Sequence, residues 1–470
     1  MSHTEQEPKG ATMTSSVVNT VNTIIGSGML VLPYAFKTDS IFLGTIILFF
    51  AAAANSIGLI IQGMTTKFVH QGTATFFTIC TLTYPRLSTL FDIAIFMQCF
   101  GVAISYIVLT GDLMPLVFSI SDWSETQNRL FYILISTVIT VPLCFLHKLD
   151  SLRYTSVVSL IAIAYLAILI YAQFGYSLSQ NFQNIPPENI GPVSYFTPEG
   201  IKPVFKTLGV IVLAYTCPNQ YSIVTELQNP TIHRINRIVY LSMGVITAIF
   251  FSVSFFGYMT FGNALGGNII LMYGDNIYIS LGRLLLVLMV LLSFPLMLYP
   301  ARSSFNNIYF AFKDYLWHKW HQFNSRETAP LLQNNTASGN SDNTENCEVF
   351  AEDKWGEKAV PFPEIRFRWI TVVLLVFSYL IAISLDSFEL ILSVVGATGG
   401  VLISYVLPGC YGYKLLCTED PHLLKMLDKH GGEDKFSKLF KSTILRKCCI
   451  GLIVWGLFSM TICLYSSLFE

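Results

Sequence analysis

At 470 residues, with 53% hydrophobic and only 12% charged side chains, the chain falls well short of the roughly 25% charge of a soluble domain. Its mean hydropathy of +0.56 leaves more apolar surface than a water-facing fold can cover, so it needs an apolar solvent. A net charge of −1 provides no basic field for a nucleic-acid partner.

Residues 1–16 are polar. They contain no basic stretch followed by a short apolar run, so they read as a cytosolic tail rather than a cleaved signal peptide. A bilayer core of about 30 Å takes about 20 mostly apolar residues as a helix. Eleven stretches meet that length: 17–36, 41–62, 92–117, 129–147, 154–176, 204–225, 238–261, 277–300, 366–386, 388–412 and 445–468. The expected class is therefore an all-α, polytopic protein of the lipid bilayer. Thr73 to Leu90 is also apolar, but Pro85 and Arg86 make it an interfacial or re-entrant helix. Residues 311–365 separate the eighth and ninth spans, and their Asn-, Ser-, Thr- and Glu-rich centre lacks the apolar content to fold alone. The expected organisation is a tail over 1–16, eight spans over 17–310, a largely disordered loop over 311–365 and three spans over 366–470.

Orientation follows from the basic residues of the short loops. Lys67 and Arg86, Lys148 and Arg153, and Arg234 and Arg237 follow the second, fourth and sixth spans, so they share one side. The opposite loops are poorer in Lys and Arg. The N-terminus is expected in the cytosol. The ten cysteines fall in spans or in loops on the cytosolic side and read as unpaired thiols.

A transporter binds its cargo near mid-membrane, where helices break and free their backbone groups. Two spans carry such breaks. The first contains Asn22-Thr23-Ile24-Ile25-Gly26-Ser27-Gly28, followed by Pro33. An unwound Gly26–Gly28 offers backbone amides at the start of the outer half-helix, which suit a carboxylate. A small-residue packing face is the competing reading. The sixth span contains Ala214-Tyr215-Thr216-Cys217-Pro218-Asn219-Gln220, where Pro218 removes a backbone donor. A simple kink is the alternative. Spans 1 and 6 correspond if the fold is two inverted five-helix repeats, and matched interruptions are the best sequence pointer to a binding site. In span 10, Gly396-Ala397-Thr398-Gly399-Gly400 fits either a gating helix or close packing.

Asp92, Asp112, Glu226 and Arg283 lie near span ends. They read as interfacial anchors, with Arg283 snorkelling to the outer face. The site is then electrically neutral and suits a zwitterion. Paired carboxylates, metal-spaced histidines and an activated nucleophile are all missing from the spans, so neither an enzyme nor a bound cofactor is expected.

These segments resemble the amino acid/auxin permease family, closest to the fungal vacuolar amino acid transporters and more distantly the sodium-coupled neutral amino acid transporters. The resemblance is carried by residues 19–36, by Cys99-Phe100-Gly101-Val102 with Gly111-Asp112, and by Ala214-Tyr215-Thr216-Cys217. It continues through Gly257-Tyr258-Met259-Thr260-Phe261-Gly262 and Val395-Gly396-Ala397-Thr398-Gly399. It implies a LeuT-like fold of ten helices in two inverted repeats plus an eleventh, with an amino acid held between spans 1 and 6. Gly26, Ser27 and Gly28 are then expected to take the α-carboxylate, and Tyr215 and Thr216 to face the α-amino group. In sodium-coupled relatives an Asn before the Gly-Ser-Gly and a hydroxyl on the eighth span help hold the ion. Asn22 matches the first, and Ser293 is the nearest hydroxyl to the second, beside Leu291 and Leu292. A hard cation wants about six oxygens or more, so this leans toward H⁺ rather than Na⁺ as the coupling ion.

Glu327-Thr328-Ala329-Pro330-Leu331-Leu332 fits an acidic dileucine pattern, which a vacuolar sorting adaptor would read in a cytosolic loop. The expectation is a proton-linked amino acid transporter of the vacuolar membrane, exporting to the cytosol. The alternatives are a sodium-coupled neutral amino acid transporter of the plasma membrane and an amino acid sensor of the same fold.

Overall fold

The computed structural model describes residues 10–71, 73–145, 153–183, 185–327, 363–385, 387–416, 418–430 and 442–468. Helices run Met13–Ile24 (α1), Leu32–Asp39 (α2), Ile41–Thr65 (α3), Phe76–Thr83 (α4), Ser88–Val117 (α5) and Glu125–Cys144 (α6). They continue with Arg153–Ser179 (α7), Ile201–Tyr215 (α8), Gln220–Glu226 (α9), Ile232–Phe261 (α10), Ile269–Met272 (α11) and Ile277–Glu327 (α12). The last are Glu364–Ser384 (α13), Phe388–Val395 (α14), Leu407–Leu415 (α15), Pro421–His430 (α16) and Thr443–Leu468 (α17). Among the described residues ten helices are long and apolar enough to cross a membrane, and the bent pair Met13–Ile24 and Gly28–Asp39 makes eleven.

A bilayer offers no water to an open backbone, so each span must satisfy its own amides and carbonyls. Its hydroxyls must be satisfied too. Thr20 donates to the Ser16 carbonyl at 2.8 Å, Thr110 to Tyr106 at 2.8 Å and Thr260 to Phe256 at 2.7 Å, all one turn back along their helices. Local sequence sets the ends. Ser124 and Gln127 form a reciprocal capping box at the start of α6, and the Thr231 hydroxyl caps α10.

Burial sorts the spans into a centre and a sheath. The hydrophobic stretch of α5 is 72% buried and that of the α14–α15 span 78%, against 28% for α17. α12 lies along α5, and α8 and α14 close the same centre. In the sheath, α3 turns Phe42, Ile46, Phe49 and Phe50 outward at helical spacing while Leu48, Ala51, Asn55 and Leu59 face inward. The outward stripe is where lipid chains replace protein contacts.

Arg283, Asp112 and Asp92 depart from the sequence reading, whereas Glu226 is exposed. Arg283 does not snorkel: it is 1% exposed. The segment from α11 through Asp275 folds over it. Its guanidinium donates to Asp275 Oδ1 at 2.9 Å, to the Tyr273 carbonyl at 2.7 Å and to the Ile270 carbonyl at 3.4 Å. Asp112 pairs with Arg129 Nε at 2.9 Å, and Asp92 is buried and accepts from Asn307 at 3.2 Å. Internal partners, not interfacial water, hold these groups. Arg283→Ala strands at least two buried carbonyls, each costing about 1–3 kcal/mol. A clear drop in the detergent melting temperature is expected, larger than for Arg368→Ala, whose ion pair with Glu364 is exposed.

α12 passes Pro295 and Pro300 without ending and reaches Glu327. Leu331 and Leu332 of the dileucine pattern lie outside the described residues.

Candidate functional site

The first span breaks where its glycines stand. α1 stops at Ile24, and Gly26 is extended with φ −133° and ψ −153°. A 3₁₀ turn covers Ser27–Leu30, and α2 resumes at Leu32 with Pro33 in its first turn. The two halves meet at 57°. The leading amides of the turn have no carbonyl one turn earlier to bond, so the backbone here presents donors.

The sixth span breaks in the same way. α8 ends at Tyr215, Thr216 is extended with φ −68° and ψ 129°, and α9 begins at Gln220 after Pro218 and Asn219. The end of α8 leaves carbonyls that α9 does not use. The Thr216 hydroxyl sits 2.9 Å from the Val212 carbonyl and 3.0 Å from Ser404 Oγ. The two breaks touch. A Cβ built on Gly28 would stand 3.2 Å from Ala214 Cα and 3.3 Å from its Cβ.

Between them lies a cavity of about 60 Å³, walled by Gly26, Gly28, Ala214, Thr216 and Pro218 from the breaks. Gln98, Val102 and Tyr106 of α5, Met297 of α12 and Leu392 of α14 complete it. That volume is room for only a few waters. An amino acid beyond the smallest needs the wall to move.

Gln98 is the polar group that sequence reasoning missed. It is 3% exposed, and its side-chain oxygen has no hydrogen-bond partner. Its position depends on the span 10 glycines. A Cβ on Gly399 would come within 2.6 Å of the Gln98 backbone nitrogen, and one on Gly396 would collide with the Gly209 carbonyl. Those glycines let the span press against α5 and α8. Between α14 and α15 it runs as two π-helical stretches, Gly396–Gly400 and Leu402–Val406, a geometry enriched at functional sites.

The other expected residues separate. Gly26, Gly28 and Thr216 are on the wall, and Ser27 opens the 3₁₀ turn. The Tyr215 side chain turns away, fully buried against Phe250, and its hydroxyl donates to Thr247 at 3.2 Å. Asn22 lies on α1 before the break, and its buried side-chain oxygen has no partner. Ser293 is half-buried on α12, one helical turn before the wall residue Met297. Glu327 is the last residue of α12.

Two interrupted helices meeting around a small cavity, inside a sheath of lipid-length spans, are the arrangement of a membrane transporter. The chain belongs to the transmembrane amino acid transporter protein family, whose model matches residues 9–430. It is 33% identical to vacuolar amino acid transporter 7 of Saccharomyces cerevisiae over 97% of each chain. It is also 33% identical to vacuolar amino acid transporter 5 of Schizosaccharomyces pombe, over 85% of this chain and 83% of that one. Among solved structures it is similar to MhsT in complex with L-phenylalanine, with a TM-score of 0.56 and 10% identity over 98% of this chain and 100% of that one. The fold is thus the LeuT-like arrangement of two five-helix repeats plus one helix.

Proposed function

We propose that the protein carries amino acids across the vacuolar membrane, from the vacuole to the cytosol, coupled to the proton gradient. The observation that carries this reading is the contact of two broken helices at one cavity, with amides presented by one break and carbonyls by the other. That pairing suits the two ends of a zwitterion. The near full-length similarity to yeast vacuolar amino acid transporters supports the address.

In this reading the backbone of Gly26, Ser27 and Gly28 holds the α-carboxylate. Thr216 and the free carbonyls at Tyr215 take the α-amino group. Gln98 lines the same cavity, and its enclosed, unpartnered Oε1 gives the ammonium a further acceptor once the wall moves. The acidic dileucine pattern of Glu327, Leu331 and Leu332 addresses a sorting adaptor from the cytosolic side.

One observation favours a second reading. The unpartnered oxygen of Asn22, with Ser293 as its expected companion, suits a bound Na⁺ or an ordered water. Uptake of labelled amino acids into proteoliposomes, with pH and Na⁺ gradients imposed separately, separates the two. A pH gradient alone is expected to drive accumulation severalfold. A strict Na⁺ requirement would overturn proton coupling and promote Asn22 and Ser293 to ion ligands. Binding without transport under either gradient would point to a sensor.

A further inference from the structure

Asp39 ends α2, at the opposite end of this half-helix from Gly28 and roughly 15 Å along it. It is 0% exposed. One carboxyl oxygen, Oδ1, lies 2.9 Å from the Thr207 hydroxyl of α8 and 3.1 Å from that of Thr38. The other, Oδ2, is buried with no partner.

Among the described residues the groups bonded to the Asp39 carboxyl are neutral hydroxyls. Lys37, on the same helix, donates to the Leu265 carbonyl at 2.9 Å and lies over the Tyr34 ring. α3 carries no charged residue, and the His233, Arg234 and Arg237 side chains of α10 belong to its far end. The 3₁₀ turn Ser27–Leu30 has no titratable group. α8 brings Lys202, which is exposed, and Lys206, which is half-buried. The connection before α8 brings another carboxylate, Glu199, whose amide donates to the Thr38 carbonyl at 2.9 Å. Asp39 also occupies the C-terminal end of its helix, where the backbone dipole opposes a negative charge.

Each threonine hydroxyl has one proton to give. Thr207 faces the Val204 carbonyl at 3.0 Å as well as Asp39, and Thr38 faces the Ala35 carbonyl at 3.1 Å as well as Asp39. Two protons therefore serve at least three acceptors. A proton on the carboxyl supplies the third, and an ionised carboxylate buried here would lack donors on one whole oxygen. The next residue, Ser40, holds a left-handed backbone at φ 68°, a conformation that costs a non-glycine residue energy and that the packing of α2 on α3 and α8 must maintain.

We propose that Asp39 is a proton-binding site at the junction of α2 and α8, and that these outer halves of the two broken spans close on each other when it is protonated. Closure takes one proton from water of the compartment that the outer halves face, forming an O–H bond on the carboxyl. Opening returns that proton to the same water and leaves the carboxylate hydrated. The ligand is thus a proton, and the acidic lumen that supplies it rests on the vacuolar reading above. This site times the outer gate and is separate from the site that couples transport to the gradient.

The test uses the full-length protein in proteoliposomes and measures exchange of labelled amino acid at equal concentration on both sides, which needs no driving gradient. Exchange by the unmodified protein is expected to fall as the compartment facing Asp39 is made less acidic, by up to roughly tenfold per pH unit once the carboxyl ionises. Asp39→Asn keeps the shape and cannot ionise, so its exchange is expected to lose the Asp39 contribution and to fall less steeply with pH than that of the unmodified protein, whatever its rate. Thr207→Val removes a donor that favours the ionised form, so the fall should move to higher pH. The melting temperature of the detergent-solubilised protein should likewise fall as pH rises, with a smaller slope for Asp39→Asn. Identical pH profiles and melting slopes for Asp39→Asn and the unmodified protein would overturn the proposal while leaving amino acid transport standing. Absence of exchange in both proteins, with the melting slopes still different, would overturn the transport reading and leave the proton site standing.

Discussion

Gly28→Leu is expected to abolish amino acid transport and leave the protein folded. Gly28 is the closest approach of the two breaks, with a built Cβ already 3.2 Å from Ala214 Cα. The leucine side chain adds four carbons beside a cavity of about 60 Å³, the room of a few waters. The added atoms either fill the substrate volume or push the breaks apart, and both end transport. Overpacking of this kind costs about 1–3 kcal/mol, so a folded protein should still elute as a single species with a melting temperature only a few degrees lower. Gly28→Ala adds one carbon at a tight but tolerable distance and should reduce uptake without abolishing it. Normal uptake by the leucine variant would remove Gly28 from the site.

The second large effect concerns Gln98. Its Oε1 is a buried acceptor with no partner, on a side chain that lines the cavity. A hydrogen bond from an ammonium to such an acceptor contributes about 1.5–3 kcal/mol. Gln98→Leu should therefore raise the apparent KM for amino acids by roughly 10- to 150-fold. The same change removes an unsatisfied polar atom from the interior, so stability should hold or rise. The two readouts move in opposite directions, which a mere packing role for Gln98 would not produce. A leucine variant with unchanged KM would dismiss Gln98 as a ligand.

The breaks were legible in the sequence because glycine and proline act on the backbone itself. Gly26 and Gly28 end α1, and Pro218 separates α8 from α9, whatever packs around them. The eleven spans were legible because a bilayer enforces helix length and apolarity. Gln98 was not, although Cys99-Phe100-Gly101 beside it stood out. It sits inside an unbroken helix, and periodicity does not say which neighbour a given face meets. Its role emerges only when Gly399 lets span 10 close on α5. Tyr215 illustrates the converse. Its position at the break was visible, but its ring direction is set by Phe250 and Thr247 of α10. Arg283 read as a snorkelling residue because the loop that buries it is close in sequence yet folds back over it. Asp39 fell just past the apolar stretch ending at residue 36, so hydropathy gave no reason to place it inside the protein.

The central claim is that the junction of the two broken helices is where an amino acid passes. The most direct measurement is exchange of a labelled neutral amino acid across proteoliposomes loaded with the same unlabelled amino acid, comparing the unmodified protein with Gly28→Leu. No ion gradient is needed, so the outcome does not depend on the coupling ion. Rapid exchange by the unmodified protein and none by the leucine variant is the result predicted here. Equal exchange by the two proteins would contradict the claim.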